Sequence, residues 1–343
     1  MEAVANSYYA RPDVIGTSGD FITAPEISQV FGEIIGLWAV TAWRKMGFPT
    51  SFQLVECGPG RGTLMADLLR VSKIDTPFLT AAHLHLVERS PSLRKSQELV
   101  LQHMRPQWHR SIDTVPEGPM ILIANEFLDA LPVRQFVKTA NGWYERVVGL
   151  SGNNFDELPF SFALCSRQPT DMPHVHSIQA AASESVFEHS PATVAFVKKV
   201  GTRIAEQGGT ALIADYGHRR SAIGDTLQAV RNHQYHPVLN APGTADLTAH
   251  VDFQVVAETA RLAGLRVHGP VEQGTWLNRL GFSIRQLQLV AEKSDEEART
   301  IVAAGRRITD PDAMGTLFKI ISLSHPDLTD LEGFAMESCH AEC

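Results

Sequence analysis

Cysteine is scarce. Cys57, Cys165, Cys339 and Cys343 are the four in 343 residues, and they are widely scattered. That excludes a disulfide scaffold and points to a reducing compartment. A basic excess is also missing: 30 Lys plus Arg stand against 38 Asp plus Glu, for a net charge of −8 with no basic block. A non-specific nucleic-acid binder carries a basic face, so that class drops sharply. No apolar run approaches the roughly 18 residues needed to span a bilayer, so membrane insertion is not expected. Met1-Glu2-Ala3-Val4 has neither the cationic flank nor the apolar stretch of a secretory signal, and an Arg-rich transit segment is lacking. Internal repeats and low-complexity tracts are absent too. What is present is core-forming material. Hydrophobic residues at 44% and charged residues at 20% argue against disorder. The length suits about two domains or one elaborated α/β domain.

The spacing predicts a helix from about Pro25 to Met46, with Thr23 and Glu26 fitting a capping box and Ile27, Val30, Phe31, Ile34 and Trp38 forming its buried face. Apolar strands and helical patterns then alternate. Strands are expected at Phe52–Glu56, Ala82–Glu88, Pro119–Ala124, Thr210–Asp215 and Phe318–Ser324. Helices are expected at Thr63–Leu69, after Ser90-Pro91, at Pro191–Glu206 and at Asp252–Ala263. Such alternation predicts an α/β fold with a doubly wound, mainly parallel sheet. The regularity breaks over 134–190, where Ala140-Asn141-Gly142 signals a β-hairpin insertion followed by a polar loop. A second irregular stretch, 217–250, reads as a functional lid or as disordered chain. The expected organisation is an N-terminal helical section (1–50) packed on the core, two core halves (51–133 and 191–325) around the insertion (134–190), and a mobile tail (326–343).

The strongest chemical signal is Glu56-Cys57-Gly58-Pro59-Gly60-Arg61-Gly62-Thr63, a glycine-dense turn between a strand and a helix. Such turns let a ligand approach the backbone and present free N–H groups at a helix start. The dinucleotide fingerprint needs a glycine where Thr63 stands, and Glu56 would repel a pyrophosphate but suits a cationic ligand. Glu88 ends the second strand at a spacing suited to ribose hydroxyls. At the end of the expected Pro119–Ala124 strand stand Asn125, Glu126 and Asp129. They either line a transfer site at the sheet's carboxyl edge or cap a following helix. Histidines are numerous, but His83/His85 and His174/His176 lack the partners of a metal site. Asp246-Leu247-Thr248-Ala249-His250-Val251-Asp252 reads as a helix cap, with His250 where the lid meets the core.

The glycine spacing and strand-end acid resemble motif I of class I S-adenosylmethionine-dependent methyltransferases. That likeness assigns Glu56, Gly58, Gly60 and Gly62 to S-adenosyl-L-methionine, Glu88 to its ribose, and Asp113 in His109-Arg110-Ser111-Ile112-Asp113 to its adenine. More specific strings follow in order: Gly19-Asp20-Phe21-Ile22-Thr23-Ala24-Pro25-Glu26, Phe31-Gly32-Glu33, Asn125-Glu126-Phe127-Leu128-Asp129-Ala130-Leu131-Pro132 and Asp215-Tyr216-Gly217. Together they closely resemble the MidA-like methyltransferases, associated with assembly of respiratory complex I. The resemblance implies a class I (Rossmann-like) core with an inserted hairpin and an extra N-terminal section, where relatives usually carry a further helix near Ser7-Tyr8-Tyr9. Gly19 and Asp20 join the expected cofactor-binding set, with Asp20 and Glu26 as a wall over the cofactor. The implied activity is symmetric dimethylation of an arginine on the complex I quinone-site subunit. A carboxylate near the acceptor, Glu126 first and then Asp129, would orient the guanidinium and take its proton. The expected partner is that protein substrate, with no nucleic acid and no membrane insertion, and a homodimer stays open. The compartment would be the cytoplasm of a bacterium or the mitochondrion of a eukaryote. Methylation of another nucleophile and cofactor binding without turnover are the competing readings.

Overall fold

Phe52–Cys57 (β1) is buried along its whole length, and its side chains alternate between two hydrophobic layers: Phe52 and Leu54 on one face, Val55 and Cys57 on the other. The structure, a computed structural model, describes every residue except 10, 12–15, 17–18, 21, 151–159, 174–179, 292 and 335–343. Met120–Asn125 (β4) divides in the same way, Ile121 and Ile123 against Met120, Leu122 and Ala124. Strands covered on both faces explain the nearly continuous apolar runs.

Ahead of the sheet lie Glu2–Tyr8 (α1), Ala24–Ile27 (α2) and Gln29–Lys45 (α3). The single helix expected from Pro25 is therefore broken. Ser28 takes extended φ/ψ and caps α3 by accepting from the Val30 N–H at 3.3 Å. Thr23 makes no capping bond, because the Glu26 carboxylate instead accepts from the Thr63 hydroxyl.

Beyond β1, Thr63–Val71 (α4) and Thr76–Ala81 (α5) lead to Ala82–Val87 (β2), Pro91–Leu101 (α6), Gln107–His109 (β3) and β4. The second core half contains Pro191–Gln207 (α7), Gly209–His218 (β9), Val251–Asp252 (β13), Phe253–Leu262 (α8) and Arg266–Glu272 (β14). Gln273–Arg279 (α9), Phe282–Val290 (α10), Asp295–Thr309 (α11) and Phe318–Ser324 (β15) complete it. The central sheet runs β14-β15-β9-β4-β1-β2-β3, parallel from β9 to β3, with β15 antiparallel to both its neighbours and β13 pairing β9. Strand order reverses between β1 and β4, which puts the switch-point crevice at the carboxyl ends of these strands.

Two smaller sheets interrupt this core. Arg134–Thr139 (β5), Gly142–Leu150 (β6), Phe160–Leu164 (β7) and Val186–His189 (β8) form a four-stranded antiparallel sheet, so the insertion is larger than a hairpin and loop. Gln228–Arg231 (β10), Gln234–His236 (β11) and Asp246–Thr248 (β12) give the expected lid a sheet of its own. The expected tail also needs correction. Leu328, Leu331 and Phe334 are buried, and the Phe334 ring lies 6.1 Å from Trp276, so residues 326–334 pack on the core. The remaining tail, with Cys339 and Cys343, lies outside the described residues, as do Phe21, His174 and His176.

Candidate active site

Three glycines take positive φ in the turn after β1: Gly58 at 66°, Gly60 at 53° and Gly62 at 87°. At Gly58 the constraint is double, because a Cβ would also stand 2.9 Å from the Phe127 ring. The Gly60 carbonyl accepts from Gln97 Nε2 at 2.7 Å, and the same amide reaches Glu88 Oε2 at 3.3 Å. Glu88 Oε1 accepts from the Ser90 N–H at 2.7 Å, so the first turn of α6 holds that carboxylate at the end of β2. Glu56 is different. It is 2% exposed, and its Oε2 has no partner among the described residues. Burial, reinforced by the charge of Glu88, pushes it up to about 8. An orphaned carboxylate beside a helix start and a second, held carboxylate fit a cationic ligand with hydroxyl groups.

At the end of β4, Glu126 sits at φ 48°, unusual for a residue with a side chain. Its Oε1 accepts from the Ala24 N–H and from Asn125 Nδ2, each at 3.1 Å. No helix follows, so Asn125 and Asp129 are not helix caps. The 127–129 turn is held instead by Asp215 of β9, whose Oδ2 accepts from the N–H groups of Phe127, Leu128 and Asp129 at 2.9–3.2 Å. Asp129 is buried with Oδ1 unpartnered, and Tyr216 lies beside its carboxylate. Asp246 on β12 accepts from the Tyr9 hydroxyl at 2.8 Å. Burial first, and neighbouring acids next, lift Glu126 to about 8 and Asp246 to about 7. Burial also raises Asp129.

Most of these groups line one cavity of about 1360 Å³, from Gly58, Glu88 and Ile112 at one end to Asp129, Tyr216, Asp246 and His250 at the other, while Gly62 packs behind the wall against Gln97 and Leu101 of α6. Small-ligand sites usually enclose roughly 300–1,000 Å³, so there is room for a cofactor and part of a second reactant. The expected set is not all gathered there. Asp20 is buried between α1 and the β10–β11 turn, accepting from the Tyr8 hydroxyl and the Asn232 N–H at 2.9 Å each, and Gly19 lies beside it, bonded to the Gly16 carbonyl. Asp113 faces outward, 2.7 Å from Lys199 Nζ and 2.8 Å from Ser111 Oγ, while Ser111 and Ile112 supply the cavity wall. Glu26 does line the cavity, at the head of α4. The Asp246–Asp252 string separates: Asp252 caps α8, and Asp246 and His250 face the cavity. Tyr9, Phe127 and Tyr216 are wall residues the sequence reading missed. His85 bonds His109 and Gln53 within the sheet, and no metal-binding cluster occurs among the described residues.

A doubly wound sheet with an acid-rich cavity at its switch point and a glycine turn feeding a helix defines a nucleotide-cofactor transferase architecture. The family described as S-adenosyl-L-methionine-dependent methyltransferases matches residues 34–271. Among curated relatives, the mitochondrial protein arginine methyltransferase NDUFAF7 homolog of Drosophila melanogaster is 39% identical, over 96% of this chain and 81% of that protein. Its counterparts in Mus musculus and Homo sapiens are 39% and 37% identical, each over 93% of this chain and 77% and 76% of theirs. A crystal structure from Burkholderia thailandensis with S-adenosyl-homocysteine bound superposes with a TM-score of 0.78 at 25% identity, covering 97% of this chain and 89% of that one. The chain belongs to the MidA-like family of S-adenosylmethionine-dependent methyltransferases. When bound, the cofactor supplies a methyl group activated on a sulfonium. Its positive charge and amino group suit the orphaned Glu56 carboxylate, and its ribose hydroxyls suit Glu88.

Proposed function

We propose that this methyltransferase acts on a guanidinium nitrogen of an arginine in a protein, and that the protein is the quinone-site subunit of respiratory complex I. The observation that carries the reading is the acceptor end of the cavity. Glu126, Asp129 and Asp246 share it, and none has an ion-pair partner among the described residues. Three crowded carboxylates are costly unless a cation joins them. A guanidinium is such a cation, planar and able to bind carboxylates bidentately. The names of the curated relatives support this acceptor.

In this mechanism the acids hold the guanidinium so that one nitrogen faces the donor methyl in line; alignment of that kind can contribute roughly 7–11 kcal/mol. The nitrogen–carbon bond forms as the sulfur–carbon bond breaks, and the sulfur keeps the electron pair. The methylated nitrogen must shed a proton, which Glu126 accepts. An acid poised near neutrality suits that task. Gly58 and Gly60 cradle the cofactor, Gly62 turns the chain into α4 behind them, and Asn125 steadies Glu126. Two rounds on opposite nitrogens give symmetric dimethylarginine. The site of action is the mitochondrion in a eukaryote and the cytoplasm in a bacterium. No helix among the described residues is long and apolar enough to cross a membrane.

Incubation with methyl-labelled S-adenosylmethionine and the host's complex I subunits, followed by mass spectrometry, tests the reading. Label is expected on an arginine of the quinone-site subunit. Label on another side chain or a small molecule would replace the acceptor. Cofactor binding without any transfer would make the protein an assembly factor.

A further inference from the structure

The N-terminal helix contributes a side chain to the cavity that neither the glycine turn nor the β4 strand end explains. Tyr9, just beyond α1, lines the cavity and donates to Asp246 Oδ1 at 2.8 Å. Neighbouring contacts hold it in place. The adjacent Tyr8 donates to Asp20 at 2.9 Å, the Tyr8 and Tyr9 rings meet edge-on at 5.1 Å, and Arg11 Nη1 donates to the Thr244 carbonyl at 3.0 Å, two residues before Asp246. The chain has five tyrosines, and three of them (Tyr9, Tyr216 and Tyr235) face this one cavity. The Tyr9 hydroxyl is spent on the carboxylate of Asp246, and Tyr216 lies beside Asp129.

We propose that Asp129 and Asp246 form the cation-binding wall of the acceptor site opposite Glu126, and that Tyr9 is the positioning residue that keeps Asp246 aimed and charged there. This rests on the guanidinium reading above. Two observations carry it. Asp129 lines the cavity and its buried Oδ1 is unpartnered, so the wall has acceptor capacity that no described group uses. Asp246 has one oxygen fixed by a phenol of the cavity wall, which orients the carboxylate without neutralising it. A phenol that donates stabilises the carboxylate form, and it opposes the burial and like charge that favour protonation. The charged or titratable groups around Asp246 are Tyr9, Tyr8 and Arg11 of the N-terminal section, Asp20 before α2, and Asp129 and Glu126 of the β4 turn; His250 lies in the same cavity. The acids outnumber the bases, so loss of the Tyr9 hydroxyl lets Asp246 take a proton.

The test uses the full chain loaded with S-adenosylhomocysteine and titrated with N-acetyl-arginine methylamide at pH 7 and pH 9. Tyr9→Phe, Asp246→Asn and Tyr8→Phe are compared, the last as a control for docking of α1. S-adenosylhomocysteine affinity is expected to stay within about twofold in all three. Arginine-probe affinity should fall about tenfold at pH 7 in Tyr9→Phe, the usual worth of a hydrogen bond to a charged group, and recover toward wild type at pH 9. Asp246→Asn should lose it at both pH values, and Tyr8→Phe should keep it. A Tyr9→Phe profile matching wild type, or a loss in Tyr8→Phe as deep as in Tyr9→Phe, overturns the positioning role. Wild-type protein that ignores the arginine probe but transfers methyl to another acceptor overturns the guanidinium reading itself, a separate outcome.

Discussion

The two ends of the cavity are built on opposite plans. The cofactor end comes from one short stretch of chain, β1 through α6, where the glycine turn, Glu88, Ser90 and Gln97 bond one another. The acceptor end is gathered from Tyr9, Glu126, Asp129, Tyr216, Asp246 and His250, which lie on four separate stretches across most of the sequence. At the first end most polar groups are satisfied, with Glu56 the exception. At the second, acids are packed together and lifted toward neutral pH. A ligand of fixed shape can be met by a rigid local unit. A partner that brings its own charge is met by charge left uncompensated.

That contrast can be broken most directly at Glu126. Glu126→Gln keeps the shape but loses the proton acceptor, so single-turnover methyl transfer should fall about 10²–10⁴, the span of a positioned acid–base group. Cofactor affinity by calorimetry should stay near wild type; a matching collapse would move Glu126 to the cofactor end. Glu88→Ala should do the reverse, weakening S-adenosylmethionine and S-adenosylhomocysteine alike by roughly ten- to a hundredfold, since a charge-assisted bond is worth about 1.5–3 kcal/mol. Equal affinity in that variant would detach β2 from the ribose.

A gentler probe is pH. Glu56 and Glu126 near 8 and Asp246 near 7 bind more protons folded than unfolded, so each subtracts stability as pH rises toward its folded value. Buried His85 and His109 and half-buried His189 and His250 are shifted down, so their opposing trend lies below about pH 6.5. Between pH 7 and 8.5 the melting temperature of the ligand-free protein should therefore fall, and fall less in Glu126→Gln. Parallel slopes would mean that the acid titrates as it does in the unfolded chain. The smallest effect is expected at the α2–α3 break: Ser28→Ala should cost about 1 kcal/mol in urea unfolding as a lost N-cap, and Thr23→Ala close to nothing.

Legibility in the sequence followed the same division. β4 and β9 were readable because strands buried on both faces leave nearly unbroken apolar runs, and β1, β2 and β15 because their apolar residues recur in short runs bounded by turns or helices. Glu56 and Glu88 were readable because strand-end positions follow from strand pattern alone. Asp246 and Tyr9 were not, since a pair 237 residues apart leaves no local period. The capping boxes make the point at close range. Thr23/Glu26 and Ser294/Glu297 share a spacing, yet only the second forms, because Glu297 is exposed and has no better offer while Glu26 meets Thr63 across the fold. Asp113 and Asp20 carried the right charge but face Lys199 and Tyr8, partners that only the tertiary structure supplies.

The four residues of α2 connect these two plans. The Ala24 N–H supports Glu126 at the acceptor end, and Glu26 holds Thr63 at the head of the helix that the glycine turn feeds. One helical turn is thus a shared strut. Thr63→Ala and Glu126→Gln, though they sit at different ends of the cavity, should be non-additive in a double-mutant cycle. Neither end can then drift in sequence without a compensating change passing through α2, so substitutions there should prove epistatic out of proportion to the helix's length.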